Sequence, residues 1–169
     1  MTIIGTKKQG KTTLTVKLAA EMARRGHRVM TMKHGSHTFN IDPSTTDTYK
    51  HYHEGHAERV AMVSPDKFAL VERWTEEKTP EQIAEQYLSD ADIVIAEGFK
   101  AAALPKIEIF RRETGKIQLY DSGSEMSAHY IAIVTDDPAI EANVPLLLFS
   151  DPEWLTTLAN LVEEKVMRI

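Results

Sequence analysis

The run Gly5-Thr6-Lys7-Lys8-Gln9-Gly10-Lys11-Thr12 fits the spacing G-x-x-x-x-G-K-[ST]. It stands between a short apolar patch, Ile3-Ile4, and a stretch in which Leu14, Leu18 and Met22 recur every fourth residue beside Ala19 and Ala23. That order describes a buried strand turning sharply into an amphipathic helix, which Gly26 then closes. Each position has a chemical reason. Gly10 lets the main chain approach an anion, the helix start presents unpaired N–H groups, Lys11 reaches outer phosphates, and the Thr12 hydroxyl suits Mg2+. The loop therefore reads as a cradle for the phosphates of a nucleotide.

The rest of the chain supplies a sheet for it. Val29 to Met32 reads as a second strand ending at Lys33-His34, and residues 35 to 48 have a loop composition, followed by a short helix from Thr48 to about Ala57. Val60–Val63 and Phe68–Val71 read as two strands joined at Ser64-Pro65-Asp66, an antiparallel appendage implying a mixed sheet edge. Thr79-Pro80-Glu81 starts a helix carrying Ile83, Ala84, Tyr87 and Leu88. Ile93-Val94-Ile95-Ala96 is a continuous buried strand ending at Glu97-Gly98. Lys106 to Arg111 alternates, so its Glu108 and Phe110 side is expected to be partly solvated. Ile131–Val134 and Leu146–Phe149 are two more buried strands, and a last helix begins near Asp151-Pro152. The expected fold class is α/β: a P-loop NTPase-like three-layer sandwich with a mainly parallel sheet and an antiparallel appendage.

Composition narrows the function classes. At 169 residues, with 42% apolar, the chain is expected to be a single nucleotide-binding domain over 1–169, able to fold without staples. It contains no cysteine, which excludes disulfides, thiol catalysis and Cys-based metal sites. A net charge of −5 argues against nucleic acid as a partner. No apolar run suits a membrane span and no signal-peptide core follows Met1, so a cytoplasmic protein is expected.

A nucleoside triphosphate site also needs a carboxylate at the end of a neighbouring strand. Glu97 fits, with Thr12, as the metal element; Gly98 is expected to bring a bare N–H to the terminal phosphate, and Lys100 to reach an anion. Asp92 competes but precedes its strand. Lys33, His34, His37, Asp42 and Asp47 read as a mobile polar lid that meets an anionic substrate or senses the terminal phosphate. His53 and His56, three apart, could share a helix face in a zinc site; polar loop residues are the plainer reading. Asp136 in Thr135-Asp136-Asp137 is the one candidate to accept from a guanine edge. Three functions stay open: a nucleotide-binding accessory protein with slow hydrolysis, a small-molecule kinase using Arg111-Arg112 as a clamp, and a nucleotide-gated scaffold.

The loop, then Lys33-His34-x-x-His37, Asp42 and Asp47, then Val94-Ile95-Ala96-Glu97-Gly98-Phe99-Lys100 and Pro105-Lys106-Ile107-Glu108-Ile109-Phe110-Arg111, in that order, resemble the molybdopterin-guanine dinucleotide biosynthesis protein B family up to about Pro138. The resemblance implies a P-loop GTP-binding protein, a homodimer with GTP and Mg2+ as cofactors. It implies an accessory role to the guanylyltransferase that attaches GMP to molybdopterin, with molybdopterin as a further ligand. Carried over, Gly5, Gly10, Lys11, Thr12 and Thr13 form the nucleotide loop, with Lys11 and Glu97 as catalytic candidates and Thr12 and Glu97 on the metal. Gly98, Lys100 and Asp136 join the nucleotide contacts, and Lys33, His34, His37, Asp42 and Asp47 lie near substrate or partner. The chain departs from the family at Lys8, where members commonly have glycine, and at Thr45, Thr46 and Glu54-Gly55-His56.

Overall fold

The computed structural model describes residues 1–35 and 42–168; His37 lies outside them. In chain order the first elements are β1 (Thr2–Ile4), α1 (Lys11–Arg24), β2 (Val29–Lys33), α2 (Asp47–His53), β3 (Arg59–Val63) and β4 (Phe68–Glu72). They are followed by α3 (Pro80–Tyr87), β5 (Ile93–Glu97), β6 (Lys106–Phe110), β7 (Tyr130–Thr135), β8 (Leu146–Leu148) and α4 (Trp154–Val162). Two compact units result, one from residues 1–34 and from 79 onward, the other within 35–78.

In the larger unit six strands pair in the order β2-β5-β1-β6-β7-β8, and every pairing is parallel. Parallel strands put all their C-terminal ends on one edge, which is where ligands bind in open α/β sheets. One face of the sheet presents Ile3, Ile95, Ile107, Ile109 and Val134 to Leu14, Leu18 and Met22 of α1 and to Leu158, Ala159 and Val162 of α4. At the far end of α1, Arg25 meets Glu21 at 2.9 Å and Glu163 at 2.6 Å, which ties that helix to the segment after α4. Helix α3 begins in a capping box: Gln82 N–H donates to Thr79 Oγ1 and Thr79 N–H to Gln82 Oε1. The α/β class with a parallel sheet is the expected one.

Three sequence expectations are corrected. The β3–β4 pair does not extend the edge of the central sheet; it forms its own two-stranded antiparallel sheet in the smaller unit. The Glu108 side of β6 is not solvated, because all five of its residues are buried. Leu119 and Tyr120 donate their N–H groups to the two Glu108 oxygens, and that segment closes over the strand. Finally, α2 stops at His53 rather than near Ala57, since Gly55 and Ala57 N–H already turn back to the Lys50 and His51 carbonyls.

Candidate phosphate loop and its neighbours

The loop after β1 is bent rather than extended. Gly5 (φ +152°) lies against β6, where a Cβ would come 2.6 Å from the Ile109 carbonyl oxygen, and Gly10 (φ +97°) turns the chain into α1. Lys8 takes φ +71°, a left-handed conformation, at the position where the resemblance sets a glycine. The first turn of α1 holds no acidic residue and no side chain caps it, so its N–H groups and helix dipole remain to attract an anion. Lys11 arches over the bend and donates from Nζ to the Thr6 carbonyl at 2.9 Å. Burial lowers the pKa of this ammonium from its usual range, Glu97 opposes that shift, and the charges of Lys100 and Lys33 add to it. The Lys11 ammonium thus feels two further lysines and one carboxylate, a local excess of positive charge that phosphate oxygens would neutralise.

Glu97 is buried at the C-terminal end of β5, flanked in register by Ile3 of β1 and Lys33 of β2. Its two oxygens accept from Thr12 Oγ1 at 3.1 and 2.9 Å, and Lys33 Nζ stands 3.2 Å from one of them. Thr12 and Glu97 together offer a hydroxyl and a carboxylate on adjoining elements, an oxygen donor set that fits Mg2+. Asp92, the competing carboxylate, is at the opposite end of the sheet, where it accepts from Arg28 N–H at 2.7 Å.

Lys11, Thr12, Glu97, Lys33 and Lys100 are therefore brought together by the larger unit. Gly98 is beside them, but its N–H donates to the Ile3 carbonyl at 3.0 Å, so the bare N–H expected to meet a phosphate is already engaged in the sheet. What the position requires is a residue without a side chain: at φ +100° a Cβ would stand 3.1 Å from that of His34. His34 also lies against Phe99, ring to ring at 4.8 Å. Asp42 and Asp47 belong to the smaller unit, Asp47 as the first residue of α2 after its Thr46 cap. His56 lies beyond the end of α2 at φ +52°, so it shares no helix face with His53, and among the described residues no three His, Asp or Glu side chains gather as a metal site. Thr13 and Asp136 line a separate cleft next to the loop.

Gln9 escaped the sequence reading. It is fully buried, donates from Nε2 to Thr6 Oγ1 at 3.2 Å and to Thr114 Oγ1 at 2.9 Å, and accepts from Arg111 N–H. The loop is thereby fastened to the segment after β6. No periodicity or spacing marks that role, because Gln9 occupies a variable position of the loop motif and two of its three partners, Arg111 and Thr114, lie 102 and 105 residues away.

The family model for molybdopterin guanine dinucleotide synthesis protein B, MobB, matches residues 1–136. A molybdopterin-guanine dinucleotide biosynthesis adapter protein of Escherichia coli is 32% identical over 152 residues, 86% of this chain and 82% of that one. One of the same name from Haemophilus influenzae is 29% identical over 167 residues, 95% of this chain and 85% of its own. A crystal structure of a molybdopterin-guanine biosynthesis protein B superposes with a TM-score of 0.68 at 26% identity, covering 99% of this chain and 98% of the other. The family model, the curated relatives and the superposed structure agree, and the chain belongs to the MobB family.

Proposed function

We propose that the protein is a GTP-binding adapter in molybdenum cofactor biosynthesis, assisting a guanylyltransferase that attaches GMP to molybdopterin. The relatives named as biosynthesis adapters support this over the kinase alternative. The observation that carries the nucleotide reading is the contact of Thr12 with Glu97 at the foot of a bent loop, beside Lys11 and Lys33. In that reading the whole chain is one nucleotide-binding domain, with residues 35–78 inserted between β2 and α3. The first-turn N–H groups of α1 and the Lys11 ammonium hold the phosphates, Thr12 and Glu97 hold Mg2+, and Lys100 and Lys33 add charge at the outer end. Bound Mg2+ would neutralise charge developing between the outer phosphates during slow hydrolysis. His34, for which Gly98 leaves room, would meet molybdopterin or the partner enzyme, and Asp136 would select guanine; Asp42 and Asp47, in the smaller unit, are offered to the same ligands by the family resemblance alone. Val63 and Phe68 present a largely exposed apolar face on the β3–β4 sheet, which supports a homodimer. Among the described residues no helix is long and apolar enough to cross a membrane, in keeping with a cytoplasmic site of action.

Calorimetric titration with GTP and with ATP, Mg2+ present, tests the reading. Saturable GTP binding that is tighter than ATP binding and is lost in Lys11→Ala is expected. No binding, or binding indifferent to Lys11, refutes it. Rapid phosphate transfer to an added acceptor would instead restore the kinase.

A further inference from the structure

The tip of the phosphate loop carries two lysines whose charge the fold leaves unmatched. Lys7 and Lys8 form the turn between Thr6 and Gln9, and both are exposed. Among the described residues neither makes an ion pair or a side-chain hydrogen bond. Other cations of the same edge are matched. Lys33 pairs with Glu97 at 3.2 Å, Arg111 with Glu113 at 3.3 Å and Arg112 with Asp137 at 3.5 Å. In a chain of net charge −5, cations left over at the rim of an anion cradle have the ligand itself as their natural counterion.

Lys8 is the informative one of the two. Its backbone is left-handed at φ +71°, a conformation that strains a residue with a side chain and that glycine adopts freely. The turn is imposed from both sides. Gln9 donates to Thr6 Oγ1 at 3.2 Å and is itself held by Thr114 and Arg111, while Lys11 Nζ grips the Thr6 carbonyl at 2.9 Å. A left-handed residue in such a bend helps to aim successive N–H groups at one point, the concavity in which anions sit. The bend thus fixes the Lys8 backbone and leaves its ammonium free to move. Strain of this kind persists where the surrounding structure over-determines it, and it gathers at functional sites. Lys8 stands two residues before Gly10, at most about 7 Å of chain from the start of α1, and its four-carbon stem can fold back over that span.

We propose that Lys8 is a second phosphate-binding lysine, whose ammonium closes over the tail of a bound nucleotide from the tip of the loop while Lys11 holds that tail from the helix. The inference rests on the nucleotide reading of the loop and adds to it a residue that the reading does not use. Lys8 acts through its charge, so its contribution survives exchange for arginine and fades as salt screens it. That role accounts for a lysine standing where glycine would fit the backbone better.

The test measures GTP binding to the full chain by calorimetry, Mg2+ present, in the parent and in Lys8→Met, Lys8→Arg and Lys8→Gly. At about 0.05 M salt Lys8→Met is expected to weaken GTP about fivefold or more, the size of one contact between opposite charges in high dielectric. At about 0.5 M salt the screening length falls to a few ångströms, and the same two proteins should agree within about twofold. Lys8→Arg should stay within about twofold of the parent at either salt, because it keeps a cation on a long stem. Lys8→Gly should lose GTP affinity as Lys8→Met does, even though glycine suits the left-handed backbone; thermal unfolding of the same samples separates that loss from misfolding. GTP affinity unchanged in Lys8→Met, a loss equal at both salts, a loss repeated in Lys8→Arg, or a Lys8→Gly protein that binds as the parent does overturns the proposal. If the parent binds GTP and Lys11→Ala abolishes that binding, the loop reading survives such a failure. If the parent binds no nucleotide, the loop reading falls and the role of Lys8 falls with it.

Discussion

Replacing Gly5 by alanine tests whether the loop is shaped by the sheet it leaves. A Cβ there would stand 2.6 Å from the Ile109 carbonyl oxygen, about 1 Å inside the 3.5–4.0 Å at which heavy atoms attract best. The obstacle is backbone, and β1 and β6 are paired neighbours near the middle of the sheet, so neither strand can yield without loosening the ladder. Overpacking costs about 1–3 kcal/mol and the positive φ about 1–2 kcal/mol. Restricting the unfolded chain returns about 0.4–1 kcal/mol. The sum is a loss of about 3 kcal/mol, which for a chain of this length lowers Tm by about 6–12 °C. Gly98→Ala is the comparison. It meets only the His34 Cβ, at 3.1 Å, on a residue that follows an edge strand and can shift, so about half that loss is expected. Thermal unfolding followed by Trp154 fluorescence in a Trp74→Phe background, which leaves only the tryptophan of the larger unit, measures both. A Gly5→Ala protein within 2 °C of the parent, or one more stable than Gly98→Ala, would refute the close-approach argument.

The remaining predictions concern polar groups and backbone strain. Burial raises the Glu108 pKa against the opposing N–H bonds of Leu119 and Tyr120. The folded state therefore holds that proton more tightly than the unfolded chain does. Its contribution is complete below the usual value of 4.5 and is lost as pH rises through the raised one. The stability difference between the parent and Glu108→Gln should accordingly change with pH from about 4.5 upward, as read from urea unfolding; a difference that is flat in pH contradicts the argument. Thr2 is fully buried and its Oγ1 has no hydrogen-bond partner, so Thr2→Val should gain about 1 kcal/mol and raise Tm by about 2–4 °C. A fall in Tm would mean that the hydroxyl is satisfied. Lys8→Gly should relieve its left-handed backbone, a cost of about 1–2 kcal/mol, against about 0.5–1 kcal/mol of glycine entropy. A net rise of about 2 °C in Tm is the expected outcome, and a decrease would show that Lys8 is not strained.

The larger fold was legible because its signals are local. Ile93–Ala96 and Ile131–Val134 are apolar throughout, as strands covered on both faces must be, and α1 announces itself by Leu14, Leu18 and Met22. Thr79-Pro80 with Gln82 spells the start of α3. Alternation misled at β6 for an equally physical reason. Glu108 looks like a solvent-facing residue until its two oxygens are given the Leu119 and Tyr120 amides, and nothing in the order of residues shows that a later segment will fold over it. The β3–β4 hairpin was read correctly as a pair, but pairing within a hairpin says nothing of whether its outer edges join another sheet.

The site divides along the same line. Its motif residues are contiguous, so the loop could be read directly, and Glu97 could be placed because a parallel strand must end on the loop's edge of the sheet. Gly98 shows the limit of reading by residue type. Glycine suggested an exposed N–H, whereas the strand ladder claims that N–H for Ile3 and the missing side chain makes room for His34. Gln9 shows it more sharply. One buried amide, satisfied by Thr6, Thr114 and Arg111, sets where the loop stands and, through Arg111, reaches the side chain that lies over Phe149. A bond of that reach is fixed only once β1 and β6 lie side by side. The phosphate loop and the segment after β6 are therefore joined by a residue that a motif treats as interchangeable, and a change at Gln9 should disturb contacts to phosphates.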